Sequence, residues 1–361
     1  MKHKDKIICI IISVIIVTLL NVFIFSNKVY YSENEFRYLS KFNNITFETI
    51  LNRKTMDNIE EYLSDHFPLR EGFIKLKNRV ELLLGKKNIN GVYITDKYLI
   101  EEYNGFDKKD KFINILNNFK ENNKDINISL MLVPTSISVN GKYLPNYIDT
   151  EAQINDIKYV YDKVNLNKIN VIDVLKNSKE QVYYKTDHHW TTHGAYLAYK
   201  EFSKNDKKIE LKKVTNEFKG TIYSKVLISD LTDDIFIYEP EFNLKVSYNK
   251  GNEVVVKDTL YNMSYLNEKD KYSLFLDNNN PIIKITNEDL KNKKNILVVK
   301  DSYANSFVPF LTNDYKEVHV IDPRYYLGSI SDYVKENKIE EVLFLYNINT
   351  LNNDNGIYRL K

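Results

Sequence analysis

The sequence predicts an α/β fold, a parallel sheet flanked by helices, behind one N-terminal membrane-spanning segment. Three observations predict it. Residues 296–346 run strand, helix, strand, helix, strand with short links, an order that implies right-handed crossovers and a parallel sheet. Ile126 to Val133, INISLMLV, is an unbroken apolar run ended by Pro134, as a strand buried on both faces requires. Ile7 to Phe25 contains no charged residue, and only Ser13, Thr18 and Asn21 are clearly polar. Nineteen residues at 1.5 Å each span roughly 28 Å, the thickness of a hydrocarbon core.

A signal peptide is the rival reading of that segment. Its apolar region is usually shorter and ends in small residues, whereas the exit here is Phe23, Ile24, Phe25, Ser26, Asn27. An uncleaved anchor is therefore expected. The three lysines of residues 1–6 predict a cytoplasmic tail there and an extracytoplasmic chain beyond. Residues 26–85 then form a stalk and a helical segment, with two helices between Thr55 and Leu84 split at Pro68. Pro68 suits the first turn of the second helix. His66, at the break, reads as a packing or capping residue.

Residues 86–361 form the remaining domain. Gly91 to Glu102 reads as a hairpin around Asp96-Lys97, and Ala152 to Tyr161 as a helix. Val171-Ile172 and Gln181 to Tyr184 read as short strands. Thr191 or Thr192 caps a helix running to about Ser203. Residues from about 204 to 290 are lysine-rich with short β-like runs (Glu253–Val256, Tyr272–Leu276, Ile282–Ile285) and read as a β-rich insertion, with a glycine-marked turn at Gly220. The α/β pattern returns with strands at Ile296–Val299, Val318–Ile321 and Val342–Tyr346, and helices at Ala304–Leu311 and Ser329–Asn337.

The bulk numbers exclude some functions. A formal charge of +2 over 361 residues gives no basic field for nucleic acid. The single cysteine, Cys9, excludes an internal disulfide and a cysteine metal site. The 28 tyrosines suit both an AT-rich genome and a carbohydrate surface, and the count does not separate them.

Chemistry concentrates in YKTDHHWTTHGAY, Tyr184 to Tyr196. Of six histidines in the chain, three (His188, His189, His193) lie within six positions, beside the only tryptophan, Trp190. Ligands on parallel sheets sit at the carboxyl ends of strands. Ser302, Asp322 with Arg324, and Asn347 follow predicted strand ends, and Asp187 and His189 do so too. A serine between strand and helix is held at the sheet rim, near N–H groups that favour a developing oxyanion. It needs a base, and the base an orienting acid. Asp187 and His189, two residues apart, offer both. Zinc held by His189 and His193 is the rival. His189, however, precedes the helix, and the HExxH glutamate is absent. Trp190 reads as a core anchor before a sugar-stacking platform.

Asp187-His188-His189-Trp190 resembles the signature of the DHHW protein family of Gram-positive bacteria, related to the SGNH-hydrolase-like alginate O-acetyltransferases. DHFPLR, NGVYIT, LVPTSISV, FKGTIYSK and KDSYANSF also look like family blocks, so the resemblance runs from about Asp65 to Asn347. It implies an SGNH-like sheet with Ser302 as nucleophile, His189 as base and Asp187 as its carboxylate. His188 falls on a variable position. Arg324 and Tyr346 sit where the alginate enzymes have an arginine and a tyrosine near the site. The other reading turns Tyr346 into the core and gives Asn347 the polar role, and Tyr303 is a further candidate for substrate or oxyanion. Asp301 departs from the small residue usual before the serine, and an acid there could cap the helix. The implied function is a membrane-anchored extracytoplasmic O-acetyltransferase, or acetylesterase, on an exopolysaccharide or wall polymer. A membrane protein exporting acyl groups and a polysaccharide synthase would be its partners, and no cofactor or metal is called for. The alternative is a non-catalytic polysaccharide-binding or assembly subunit that keeps the fold.

Overall fold

The computed structural model describes residues 3–42, 46–51, 54–204, 208–250 and 253–360. It divides into two compact units, Met1–Ile89 with Ser224–Ser229, and Asn90–Tyr223 with Asp230–Lys361.

The first unit is helical. α1 (His3–Phe25) contains the stretch Lys4–Phe25, long and apolar enough to cross a membrane and nowhere buried in the chain. α2 (Lys54–Asp65) and α3 (Arg70–Leu83) are separated by a tight turn. Pro68 stands in this turn and not in the first turn of α3, because Leu69 adopts a left-handed φ of 58° and re-aims the chain. The break is tied to the stalk by polar contacts. The buried Asp65 carboxylate accepts from Arg37 Nη1 (3.1 Å) and Ser40 N–H (2.8 Å), and His66 Nε2 meets the Ser40 carbonyl at 2.8 Å.

In the second unit, β1 (Val92–Ile94) and β2 (Leu99–Glu101) pair antiparallel around Asp96-Lys97. α4 (Lys109–Asn122) leads to β3 (Asn127–Val133). α5 (Ala152–Lys163) leads to β4 (Asn167–Lys168), and α6 (Thr192–Ser203) is capped by the Thr191 hydroxyl, which accepts from Gly194 N–H. β5 (Lys212–Phe218) and β6 (Asp233–Ile237) form a separate ribbon. β7 (Leu244–Lys250), β8 (Glu253–Lys257), β9 (Ile282–Asn287), β10 (Asn295–Lys300) and β11 (Glu317–Ile321) follow, then α7 (Ile330–Glu336) and β12 (Glu341–Asn347).

Among the described residues one sheet has eight strands in the order β8-β7-β9-β11-β10-β12-β3-β4. β11, β10, β12, β3 and β4 are parallel, and β9, β7 and β8 extend the sheet antiparallel. The insertion is thus divided. Its first strands make the ribbon and its later ones cover the edge of β11, which would otherwise present unpaired N–H and C=O groups. Side chains of the central strands alternate between two cores. Leu343 and Leu345 join Val298, Trp190 and the aromatic face of α6 on one side. Val342, Phe344 and Tyr346 join Leu297, Val299 and the residues of α4, α5 and α7 on the other.

Three local readings differ from the sequence pattern. Val171-Ile172 is no strand but the entry to a short helix, Ile172–Lys176, whose first N–H is taken by Asn170 Oδ1 (3.0 Å). Tyr272–Leu276 is mostly a 3-10 turn, Lys271–Leu274. Gln181–Tyr184 makes a single bridge, Tyr183 with Trp190, in place of a strand. The chain doubles back on itself there, Thr191 N–H donating to the Val182 carbonyl and Tyr184 N–H to that of His189. Asp187 and His189 therefore sit at the tip of a folded loop and not at a strand end.

Candidate active site

Ser302 follows the central strand β10 directly and opens a 3-10 turn, Ser302–Ser306. Asp301 caps that turn, Oδ1 accepting from Tyr303 N–H at 2.9 Å. Its other oxygen gathers the next strand end, accepting from Asn347 N–H (2.9 Å), Asn347 Nδ2 (2.7 Å) and the Thr350 hydroxyl (2.8 Å). The acid before the serine is thus a structural clamp on two neighbouring strand ends. Burial pushes its carboxyl upward, and the Arg324 charge and these N–H donors oppose that.

The loop from Tyr184 to Trp190 comes from outside the sheet and is shaped by side chains. Buried Asp233, on β6, accepts from Lys185 N–H (2.8 Å), Thr186 N–H (2.9 Å), the Thr186 hydroxyl (2.7 Å) and Gln181 Nε2 (2.9 Å). Gly220 lies against Asp187, so close that a Cβ there would fall 2.2 Å from Asp187 Oδ2. The next residue supplies two donors to that oxygen, Thr221 N–H (2.8 Å) and its hydroxyl (2.9 Å). Having donated to Asp187, the Thr221 hydroxyl can only accept from His188 Nδ1, 2.6 Å away.

The loop and the serine meet. His189 Nδ1 donates to Asp187 Oδ1 at 2.5 Å, and His189 Nε2 lies 2.7 Å from Ser302 Oγ. With Nδ1 carrying the proton, Nε2 is the acceptor of the serine hydroxyl. Burial, and then the neighbouring His188, hold the His189 imidazole below its ordinary value of 6.5, with Asp187 opposing. Burial alone would raise Asp187. The two histidines and the Thr221 N–H override it and keep the carboxylate well below the usual range. At neutral pH the pair is therefore a neutral imidazole on an ionised carboxylate, the state a general base requires.

Two aromatic residues join the halves. Tyr272 stacks on the His189 ring (centroids 3.7 Å apart, 11° between planes), and its hydroxyl donates to the Ser302 carbonyl at 3.1 Å. Buried Trp190 donates Nε1 to the Tyr303 carbonyl (2.9 Å), so it is a core anchor and offers no face to a sugar.

The remaining expected site residues divide. Arg324 keeps a partly exposed guanidinium, bonded through Nε and Nη2 to buried Asp322 at 2.8 and 2.6 Å. Three others need correction. Tyr346 is wholly buried in the core opposite Trp190, because alternation along β12 turns it away. Asn347 is buried and its amide is spent on Asp301 and Thr350. Tyr303 is buried, its hydroxyl donates to the His188 carbonyl, and its N–H is held by Asp301. Among the described residues no backbone hydrogen bond is made by the Ser302 N–H at the start of the turn. Ligand atoms of Asp187, His188 and His189 also lie within 4.8 Å of one another. His193 is not part of that group, and its ring neighbour is Tyr196 on α6. Sequence reasoning missed Asp233, Thr221 and Tyr272. Only the FKGTIYSK block, which holds Gly220 and Thr221, carried a signal.

An α/β sheet with an aspartate, a histidine and a serine hydrogen-bonded in series at its rim defines a class of serine-centred α/β proteins. The DHHW protein family matches residues 87–321 of this chain, and the chain belongs to it. A DHHW family protein from Eubacterium siraeum, known from a crystal structure, is 26% identical, with 76% of this chain and 96% of that chain covered at a TM-score of 0.65. PatB1 of Bacillus cereus, solved with a sulfonyl adduct, is 21% identical over 75% of this chain and 98% of that chain, also at 0.65, a likeness of fold. The O-acetyltransferase domain of Pseudomonas putida AlgJ is 14% identical over 72% of this chain and 92% of that chain at 0.44. No curated protein matches the chain.

Proposed function

We propose that this protein is an extracytoplasmic O-acetyltransferase, or acetylesterase, held at the cell membrane by α1 and acting on an exopolysaccharide or wall polymer. The observation that carries the reading is the series Asp187 Oδ1, His189 Nδ1, His189 Nε2, Ser302 Oγ, with links of 2.5 and 2.7 Å. Together with the motif resemblance it supports acyl transfer through serine. Ser302 Oγ attacks the acetyl carbonyl as His189 Nε2 takes its proton. The oxyanion is met by the Ser302 N–H, with Arg324 as the nearby cation. The tetrahedral intermediate collapses, His189 returns the proton to the leaving group, and an acetyl-serine remains. A sugar hydroxyl then gives its proton to His189 and attacks the ester, and Ser302 regains its hydrogen. Water in the sugar's place yields an esterase. A membrane protein that exports acyl groups and a polysaccharide synthase are the partners this reading calls for.

The test uses the full chain in detergent with a chromogenic acetyl ester, with and without a chelator. Ser302→Ala and His189→Ala should each lower turnover on the order of 10³-fold or more. Intact mass should show a transient gain of one acetyl on the unaltered protein alone. Because His189 must be neutral to act, activity falls as pH drops through its pKa. That acid limb is expected below the ordinary imidazole value of 6.5. Turnover surviving in Ser302→Ala would sink the residue assignment, and loss to the chelator would favour a metal at Asp187, His188 and His189. If polymer acetylation in cells carrying Ser302→Ala stayed normal, the protein would instead be a binding or assembly subunit.

A further inference from the structure

α3 is amphipathic in the reverse sense. Leu69 at its cap and Phe73, Leu76, Val80 and Leu83 recur every three or four residues, which puts them on one side of the helix. That side is open, the five being 44–87% exposed. At 100° per residue Asn78 lies opposite. It is buried and donates Nδ2 to the Val226 carbonyl at 2.8 Å. The helix thus seats a polar residue inward and turns its leucines and phenylalanine outward. A soluble face would be the converse.

The stripe adjoins α1. An apolar groove of about 890 Å³ lies between α1 and the α2–α3 pair, lined by Ile16, Leu20 and Phe23 on one side and by Leu63, Phe67 and Phe73 on the other, with Arg70 and Lys77 as cationic members. From Phe23 to Ile16 is seven residues, or about 10 Å along α1. The α2–α3 pair therefore reaches back beside the outer half of the segment read as membrane-spanning. Residues 70–87 contain Arg70, Lys75, Lys77, Arg79, Lys86 and Lys87 against Glu71 and Glu81, with Arg70 ion-paired to Glu35 and Asp65, Lys75 to Glu71, and Lys77 and Lys86 to Glu81.

We infer that α3 is an interfacial helix that sinks its leucine stripe into the outer leaflet beside α1. The inference rests on the reading of α1 as a membrane anchor. Continuity with α1 selects lipid over a soluble protein as the occupant. Membrane-surface helices bury such an apolar face about 5–10 Å deep. The pair then acts as a second attachment.

The test is depth labelling of the full chain, with Cys9→Ser as background. Single cysteines at Leu76 and at Leu83 carry an environment-sensitive fluorophore in vesicles of phosphatidylcholine and phosphatidylglycerol. Val14→Cys in α1 and Lys124→Cys on the surface of the second unit are the references. Leu76 and Leu83 labels should be quenched several-fold more by shallow doxyl lipid than the Lys124 label is, and less by deep doxyl lipid than the Val14 label. Labels at 76 and 83 that behave like 124 overturn the inference while the Val14 label still reports a span. Labels shielded from lipid and from aqueous iodide alike mean a protein partner and overturn it too. A Val14 label that no doxyl lipid reaches removes the anchor reading, and this inference with it.

Discussion

Ser302 and His189 are hydrogen-bonded to each other but are held by different means. The serine is delivered by backbone. It follows β10, paired on both sides by parallel strands, and Asp301 adds only a cap and a clamp. The histidine is delivered by side chains. Its loop makes one bridge of its own, and Asp233, Thr186, Thr221 and Gly220 do what a sheet ladder does for the serine. A site half built on ladders and half on buried carboxylates is expected to be rigid in the first half and vulnerable in the second, because a single buried acceptor there serves several donors at once.

The largest effect expected from breaking that contrast comes from Gly220→Ala. The new methyl would overlap Asp187 by more than any side-chain adjustment absorbs, so Asp187 must move. A displacement of about 1 Å in an orienting group costs on the order of 10²-fold in turnover. Kinetics on the acetyl ester check it, and near-normal turnover would show that the approach of Gly220 is unimportant.

Asp233→Asn is smaller and acts first on stability. Both carboxylate oxygens accept from two donors each, so an amide nitrogen placed there must face N–H groups. A loss of roughly 1–3 kcal/mol is expected, read as a lower urea midpoint at unchanged slope. A matching change at Asp301 would disturb two strand ends as well as a cap, so comparing the two variants sharpens the contrast.

The smallest effect belongs to Tyr346→Phe. Its buried hydroxyl has no hydrogen-bond partner, and its ring lies in the core. Deletion of the oxygen should shift stability by no more than about 0.5 kcal/mol and leave turnover unchanged. A clear fall in turnover would return Tyr346 to the site.

Much of the fold was legible because its signals are local. The apolar run of β3, the short strands β10, β11 and β12, and the Thr191 cap each show in a few neighbouring residues. The loop at residues 181–184 misled because an extended, apolar stretch looks the same whether it joins a ladder or bridges its own return. Tyr346 and Asn347 show the limit at the site. Adjacent in sequence and both at a strand end, they are both buried, Tyr346 in a hydrophobic core and Asn347 against Asp301 and Thr350.

The amino-acid sequence by itself determined the class of the chain, its apolar N-terminal segment, and the residue types of the Asp-His-Ser series, since composition, periodicity and the DHHW block are properties of short stretches. Only the tertiary structure decided which strands are neighbours, that the later insertion strands cover the sheet edge, and that Asp233, Thr221 and Tyr272 hold the base in place. Those facts depend on groups 34 to 113 residues apart coming within 2.7 to 3.7 Å. No local pattern encodes such a meeting. It is settled by where buried donors and acceptors find partners once the whole core has closed.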